Sequence, residues 1–145
     1  MNMETISLGC DHAGFGLKEK VKKKLQDLDY KILDKGTNSG ESVDYPKFGH
    51  LVGFSVSSGE SQRGIIICGS GIGISISANK INGIRAALCT SIEHAKLSRQ
   101  HNDANVLAIG SRLTSEELAF KIINAWLTTD FESGRHQYRI DQIEK

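Results

Sequence analysis

Apolar runs and amphipathic runs alternate along the chain in a βαβα rhythm. The stretch TISLGC reads as a first strand. Behind it Leu17, Val21, Leu25 and Leu28 recur at helical spacing among lysines and glutamates, which predicts an amphipathic helix. YKILDKG reads as a second strand, and Pro46 opens a less regular helical candidate through Val56. GIIIC, ending at Cys68, is a continuous apolar run, as expected of a strand buried on both faces of a parallel sheet. IRAALCT and NVLAIG supply fourth and fifth strands, with SIEHAKLSRQHN as the helix between them. TSEE then reads as a capping box, with Thr114 as N-cap and Glu117 three residues on. Leu118, Ile122, Ala125 and Trp126 form the buried stripe of the helix it starts.

One segment resists this reading. IGISIS alternates apolar and small polar residues, which by period alone is a strand. A buried strand just before it needs a crossover, so Ile74 to Lys80 is assigned as helix against the local signal. The whole pattern predicts a doubly wound α/β domain with a mainly parallel sheet, one unit over residues 1–145. It shows no internal repeat, low-complexity tract or linker. FESGRHQYRIDQIEK lies beyond the last strand–helix unit and is basic around Arg135 to Arg139.

Composition narrows the function classes. At 145 residues, 39% hydrophobic and 24% charged, the chain is ordinary for a globular protein. A formal net charge of +1 gives no electrostatic footprint for nucleic acid or an anionic membrane. The first residues lack the pattern of a secretory signal, and no apolar stretch approaches the ~20 residues that span a bilayer. Three cysteines without close spacing point to free thiols and a cytoplasmic location.

Ligands of open α/β sheets bind beyond the C-terminal ends of the strands. The first predicted strand ends in Cys10, Asp11 and His12, the third in Cys68, the fourth in Cys89, and the fourth helix in His101 and Asn102. Taken singly, a His or Asp at a helix start is a cap; several at one edge of a sheet suggest a site. After Cys68, glycines fall at alternate positions, Gly69, Gly71 and Gly73. The loop is no P-loop, because Lys80 is too far on and is not followed by Ser or Thr. It is no dinucleotide fingerprint, because Ile74 stands where the last glycine belongs. It can expose consecutive backbone N–H groups at a helix N-terminus, where they stabilise negative charge.

A cysteine in such a place has a bland reading as a small buried hydrophobe. Its chemical reading is a thiolate favoured by the helix dipole and amides, facing donors that hold a developing enediolate. Ser70 adds a hydroxyl there. Metal binding by Cys10, His12, Cys68 and Cys89 lacks any short ligand spacing, and a Cys10–Cys68 redox pair is equally unsupported. In GRHQYR, Arg135 and Arg139 are four apart and share a face if the tail is helical; with His136 they form a phosphate clamp. The alternative is a solvated basic end.

GCDHAG, ICGSGIG, ANKINGIRAA, LSRQHNDANVLAIGSR and GRHQYR, in this order, resemble the ribose-5-phosphate isomerase B family. That family also holds allose-6-phosphate and galactose-6-phosphate isomerases. The resemblance runs over nearly the whole chain. It implies a three-layer α/β/α sandwich with a five-stranded parallel sheet, Rossmann-like. It further implies a homodimer with active sites between subunits and a tail reaching the partner, with pairing of dimers into tetramers left open. Carried over by position, it implies Cys68 as the base between C1 and C2 and Gly69, Gly71, Ile72 and Gly73 as the anion hole. Ser70 would assist proton exchange between the oxygens, and His101 would open the furanose ring. Asp11 and Asn102 would orient hydroxyls, while His12, Arg112, Arg135 and Arg139 would meet phosphate and substrate. No metal or organic cofactor is implied. One branch of the family uses a glutamate just after the glycine loop as base; Ile74 fills that position here, which points to the cysteine branch. A six-carbon 6-phosphate as substrate, or a sugar-phosphate binding module without turnover, are the alternative functions.

Overall fold

The computed structural model describes residues 4–145. Its strands are β1 (Thr5–Cys10), β2 (Lys31–Asp34), β3 (Arg63–Cys68), β4 (Ala86–Leu88) and β5 (Val106–Gly110). Its helices are α1 (Phe15–Asp27), α2 (Tyr45–Ser57), α3 (Ile72–Asn79), α4 (Ile92–Asn102), α5 (Glu116–Thr128) and α6 (Arg135–Ile143). A 3-10 turn, His12–Gly14, joins β1 to α1. The five strands form one sheet in the order β2-β1-β3-β5-β4, and every pairing is parallel. The expected three-layer α/β/α, Rossmann-like architecture is therefore what the chain adopts.

Alternation along the strands sorts the core into two layers. Ile6, Leu8, Ile65, Ile67, Leu107 and Ile109 face α1, α4 and α5, where Val21, Leu25, Ala95, Ile122 and Trp126 meet them. Ile66, Cys68, Val106 and Ala108 face α2 and α3, against Phe48, Val52, Ile74 and Ala78. The two sequence neighbours Ile67 and Cys68 thus point into opposite layers. The chain leaves β1 for β2 on one side and returns for β3 on the other, so a crevice opens where Asp11 and Gly69 follow these strands.

Two expectations need correction. The N-cap of α5 is Ser115, whose hydroxyl accepts the Leu118 N–H at 3.2 Å. Thr114 is instead drawn into the turn after β5, donating its N–H to the Gly110 carbonyl at 3.0 Å, and so the capping box with Glu117 does not form. The IGISIS segment is helical, as assigned, but α3 starts at Ile72. Its alternation is two helical stripes one residue pair apart: Ile74 and Ala78 are buried, Ile72 and Ile76 exposed. The serines between them close onto the helix, Ser75 Oγ donating to the Ile72 carbonyl and Ser77 Oγ to that of Gly73.

Candidate active site

At the end of β3, Cys68 is 4% exposed. Its Sγ accepts the Gly71 backbone N–H at 3.2 Å. Gly71 has φ of 78°, and a Cβ there would stand 2.6 Å from Leu88 Cδ1 and 2.9 Å from the Gly110 nitrogen. Both the left-handed conformation and the close approach of β5 require glycine at 71. Gly110 answers it from the other side, since a Cβ on Gly110 would meet the Ser70 carbonyl at 2.4 Å. Ser70 Oγ accepts the Ile72 N–H at 3.1 Å, which holds its hydroxyl at the N-terminus of α3.

Backbone hydrogen bonds lace three strand ends together. Ser111 N–H donates to the Cys68 carbonyl (2.9 Å) and Arg112 N–H to that of Gly69 (3.0 Å). Ser111 Oγ donates to the Ala13 carbonyl (2.8 Å), and Asp11 N–H to that of Ile67 (3.2 Å). The Asp11 carboxylate accepts the Gly14 N–H at 3.1 Å and caps the 3-10 turn. The result is an open cleft of about 610 Å³. Asp11, Cys68, Gly69, Ser70, Ile72, Gly73 and Arg112 line it, all of them anticipated from the sequence. Gly71 shapes the loop from beneath. His12 sits in the turn beside the cleft, its Nδ1 3.1 Å from the Val43 backbone nitrogen and 3.2 Å from the Val43 carbonyl oxygen, so the Val43 peptide groups hold the ring.

Tyr45, Ile76 and Leu113 also border the cleft and escaped the sequence reading. Each carries an apolar surface in solvent, a feature that depends on which side of its element meets the core. Tyr45 stands just before the helix that the sequence reading opens at Pro46, and Ile76 lies in the segment whose period alone reads as a strand.

A second group of anticipated residues does not reach this cleft within one chain. His101 and Asn102 close α4, and α6 packs against that helix. Asn102 borders a different groove, shared with Arg85 and Glu144. Arg135 and Arg139 are both exposed on α6, one turn apart, as the helical reading of the tail requires. His136 is 6% exposed, so it is no part of an open clamp with them. Its ring stacks on that of His101, centroids 4.3 Å apart and planes 14° apart. His101, Glu132 and His136 bring donor atoms within 4.8 Å of one another. The two imidazoles meet face to face, not edge to edge.

The other thiols are set apart. Cys10 and Cys89 belong to the α1–α4–α5 core layer, and burial pushes both thiols up to about 11. Cys68 faces the opposite layer. The three cysteines are free and do not gather.

The likeness to known proteins extends over almost the full chain. The profile of the Ribose/Galactose Isomerase family matches residues 6–143. Ribose-5-phosphate isomerase B of Escherichia coli K12 is 50% identical over 141 residues, 97% of this chain and 95% of that one. The structure of ribose-5-phosphate isomerase B from Clostridium thermocellum superposes with a TM-score of 0.96 at 49% identity, covering 97% of this chain and 95% of that one. The enzyme of the same name from Mycoplasma genitalium, solved with bound ribulose-5-phosphate, gives a TM-score of 0.94 at 39% identity, covering 99% and 95%. With a family profile spanning nearly all of its length and relatives at half identity, this chain belongs to the ribose/galactose isomerase family.

Proposed function

We propose that the chain interconverts D-ribose 5-phosphate and D-ribulose 5-phosphate through an enediolate, with Cys68 as the base. The observation that carries this reading is the Cys68 sulfur within hydrogen-bond reach of the Gly71 amide at the mouth of the cleft. A thiolate there is held by an N–H donor and by the N-terminus of α3. It takes the proton from C2 of the open aldose. The C–H electron pair becomes the C1=C2 bond, and the carbonyl pair moves to O1, where amide donors of the loop stabilise the negative charge. The Ser70 hydroxyl then exchanges a proton between O2 and O1. As C2=O forms, the Cys68 thiol returns its proton to C1. Asp11 orients the sugar hydroxyls, and His12 and Arg112 meet the substrate from the cleft's edge.

The remaining roles belong to a partner subunit in this reading. His101 opens the furanose ring, Asn102 orients hydroxyls, and Arg135 and Arg139 bind phosphate by their guanidinium forks. Two observations favour a homodimer: the two residue groups lie apart within one chain, and the exposed Ile72, Ile76, Leu113 and Tyr45 border the cleft with surface that a second copy would cover. The free cysteines suit a reducing cytoplasm, where the reaction belongs to the non-oxidative interconversion of pentose phosphates.

The test is isomerisation of ribose 5-phosphate by purified protein with EDTA present, alongside Cys68→Ala. Wild type is expected to form the ketose, and the variant to lose about a thousandfold or more in kcat with substrate binding retained. Near-normal turnover by Cys68→Ala would remove Cys68 as the base. Turnover of allose or galactose 6-phosphate in place of ribose 5-phosphate would move the substrate to the six-carbon sugars. Binding without turnover of any of them would leave a sugar-phosphate binding module.

A further inference from the structure

In GRHQYR the neighbours Arg135, Gln137, Tyr138 and Arg139 are exposed, while His136 turns inward. An imidazole serving as a phosphate contact would stand in solvent beside the arginines; this ring is buried against another imidazole. It lies flat against His101 and presents Nε2 to the Glu132 carboxylate at 3.5 Å. Glu132 is itself tied to the last turn of α4, its N–H donating to the Gln100 carbonyl at 3.0 Å. The chain Glu132–His136–His101 therefore starts and ends on neighbouring residues of one helix turn.

We infer that His136 is a positioning residue, whose ring plane fixes the plane of the His101 imidazole for proton transfer to the ring oxygen of the sugar. The inference rests on the reading of His101 as the ring-opening group. Opening the furanose breaks C1–O4: the O1–H proton passes to water in the open cleft, its pair becomes the C1=O1 bond, and O4 keeps the C1–O4 pair and takes a proton from the His101 imidazolium. An imidazole N–H points along the plane of its ring, and a hydrogen bond weakens steeply once its angle falls below about 120°. A His101 ring free to rotate would lose that direction. The stacked His136 ring removes the freedom without occupying either edge of His101.

Charge agrees with the geometry. Burial, then His101 and Arg135 and, more weakly, Arg139 hold His136 below the ordinary imidazole range, against the upward pull of Glu132. A neutral ring sets no extra positive charge beside His101 when that residue carries the proton.

The experiment separates ring opening from enolisation by comparing ribose 5-phosphate with its 4-deoxy analogue, which has no O4 and cannot form the furanose. His101→Asn is expected to lose about a hundredfold in kcat on ribose 5-phosphate and little on the analogue. His136→Ala is expected to lose about tenfold on ribose 5-phosphate, with KM and analogue turnover within about twofold of wild type. His136→Phe keeps a flat ring and the buried volume, so it should recover most of the lost turnover; it also carries the test if His136→Ala does not fold. Unchanged ribose 5-phosphate turnover in His136→Ala overturns the inference, and so does an equal loss on both substrates. A His136→Phe variant as impaired as His101→Asn on the cyclic substrate alone would show that the imidazole nitrogens, and not the ring plane, matter. If His101→Asn affects both substrates alike, the ring-opening role of His101 itself fails, and the inference falls with it.

Discussion

At the end of β3 a thiol sits 3.2 Å from an amide donor, and 610 Å³ of open cleft lies in front of it. The other two thiols do not line the cleft: burial has pushed Cys10 and Cys89 up to about 11, and both face the opposite core layer. Chemical modification should therefore discriminate among three cysteines that look alike by composition. At pH 8, iodoacetamide is expected to alkylate Cys68 first and abolish isomerisation, with substrate slowing both. Peptide mapping that found Cys10 or Cys89 modified ahead of Cys68 would contradict this assignment. The residue-scale reading from sequence was strong here because the thiol and the glycines are contiguous. Gly110 was missed, since its need to be glycine arises from the Ser70 carbonyl, forty residues away in the chain.

Among the elements, α3 and α6 carry what periodicity could not assign alone. The IGISIS alternation resolves into a buried and an exposed stripe only after β3 and β5 fix which side of α3 faces the sheet. The tail helix presents Arg135 and Arg139 to solvent and buries His136 and Ile140 against the body of the protein. Cutting the tail off would expose that apolar contact, so the phosphate role is better tested by point substitution. Arg135→Ala and Arg139→Ala should each raise KM about tenfold, the worth of one charge-assisted hydrogen bond, with little change in kcat or melting temperature. A KM that stayed put in both variants would return the arginines to the solvated surface. The Thr114 cap was misread for a related reason. The local pattern fits two adjacent hydroxyl residues, and the turn after Gly110 decides between them.

Over the whole molecule two devices hold the site in place. Beneath the β1 end, Lys18 is fully buried, donating to both Asp34 carboxylate oxygens at 2.6 and 2.8 Å and to the Thr37 carbonyl at 2.8 Å. Burial pushes the Asp34 carboxyl up, but hydrogen bonds from Lys18, Gly36 and Lys22 outweigh it and hold it below the ordinary carboxylate value. Its stabilising contribution is thus present above the unfolded carboxyl pKa of about 4 and fades as pH falls through the lower folded value. Asp34→Asn leaves the buried Lys18 ammonium only the half-exposed Glu19 carboxylate at 3.3 Å and should cost about 3 kcal/mol in urea unfolding at pH 7. The variant should also lose less stability than wild type on acidification to pH 3. The second would be the partner subunit of the proposed dimer. Co-refolding Cys68→Ala with His101→Asn, each strongly impaired alone, should restore about a quarter of wild-type activity on ribose 5-phosphate, because half of the dimers are mixed and each holds one intact site. No recovery would mean that each site is built within one chain.

The sequence by itself determined the strand and helix order, the parallel sheet, the family and the cluster of residues around Cys68. Those features are written in contiguous motifs and in the period of apolar residues, which need no tertiary partner to be read. The tertiary structure alone decided the strand order β2-β1-β3-β5-β4, the pairing of Gly71 with Gly110, the burial of Lys18 and the stacking of His136 on His101. Each of these depends on contacts between segments far apart in the chain, and outside the strand order the side chains involved are polar or absent, so no hydrophobic period announces them. His136 shows the difference most clearly. In the sequence it is one more basic residue between two arginines, and in the fold it is the one whose ring turns inward against His101.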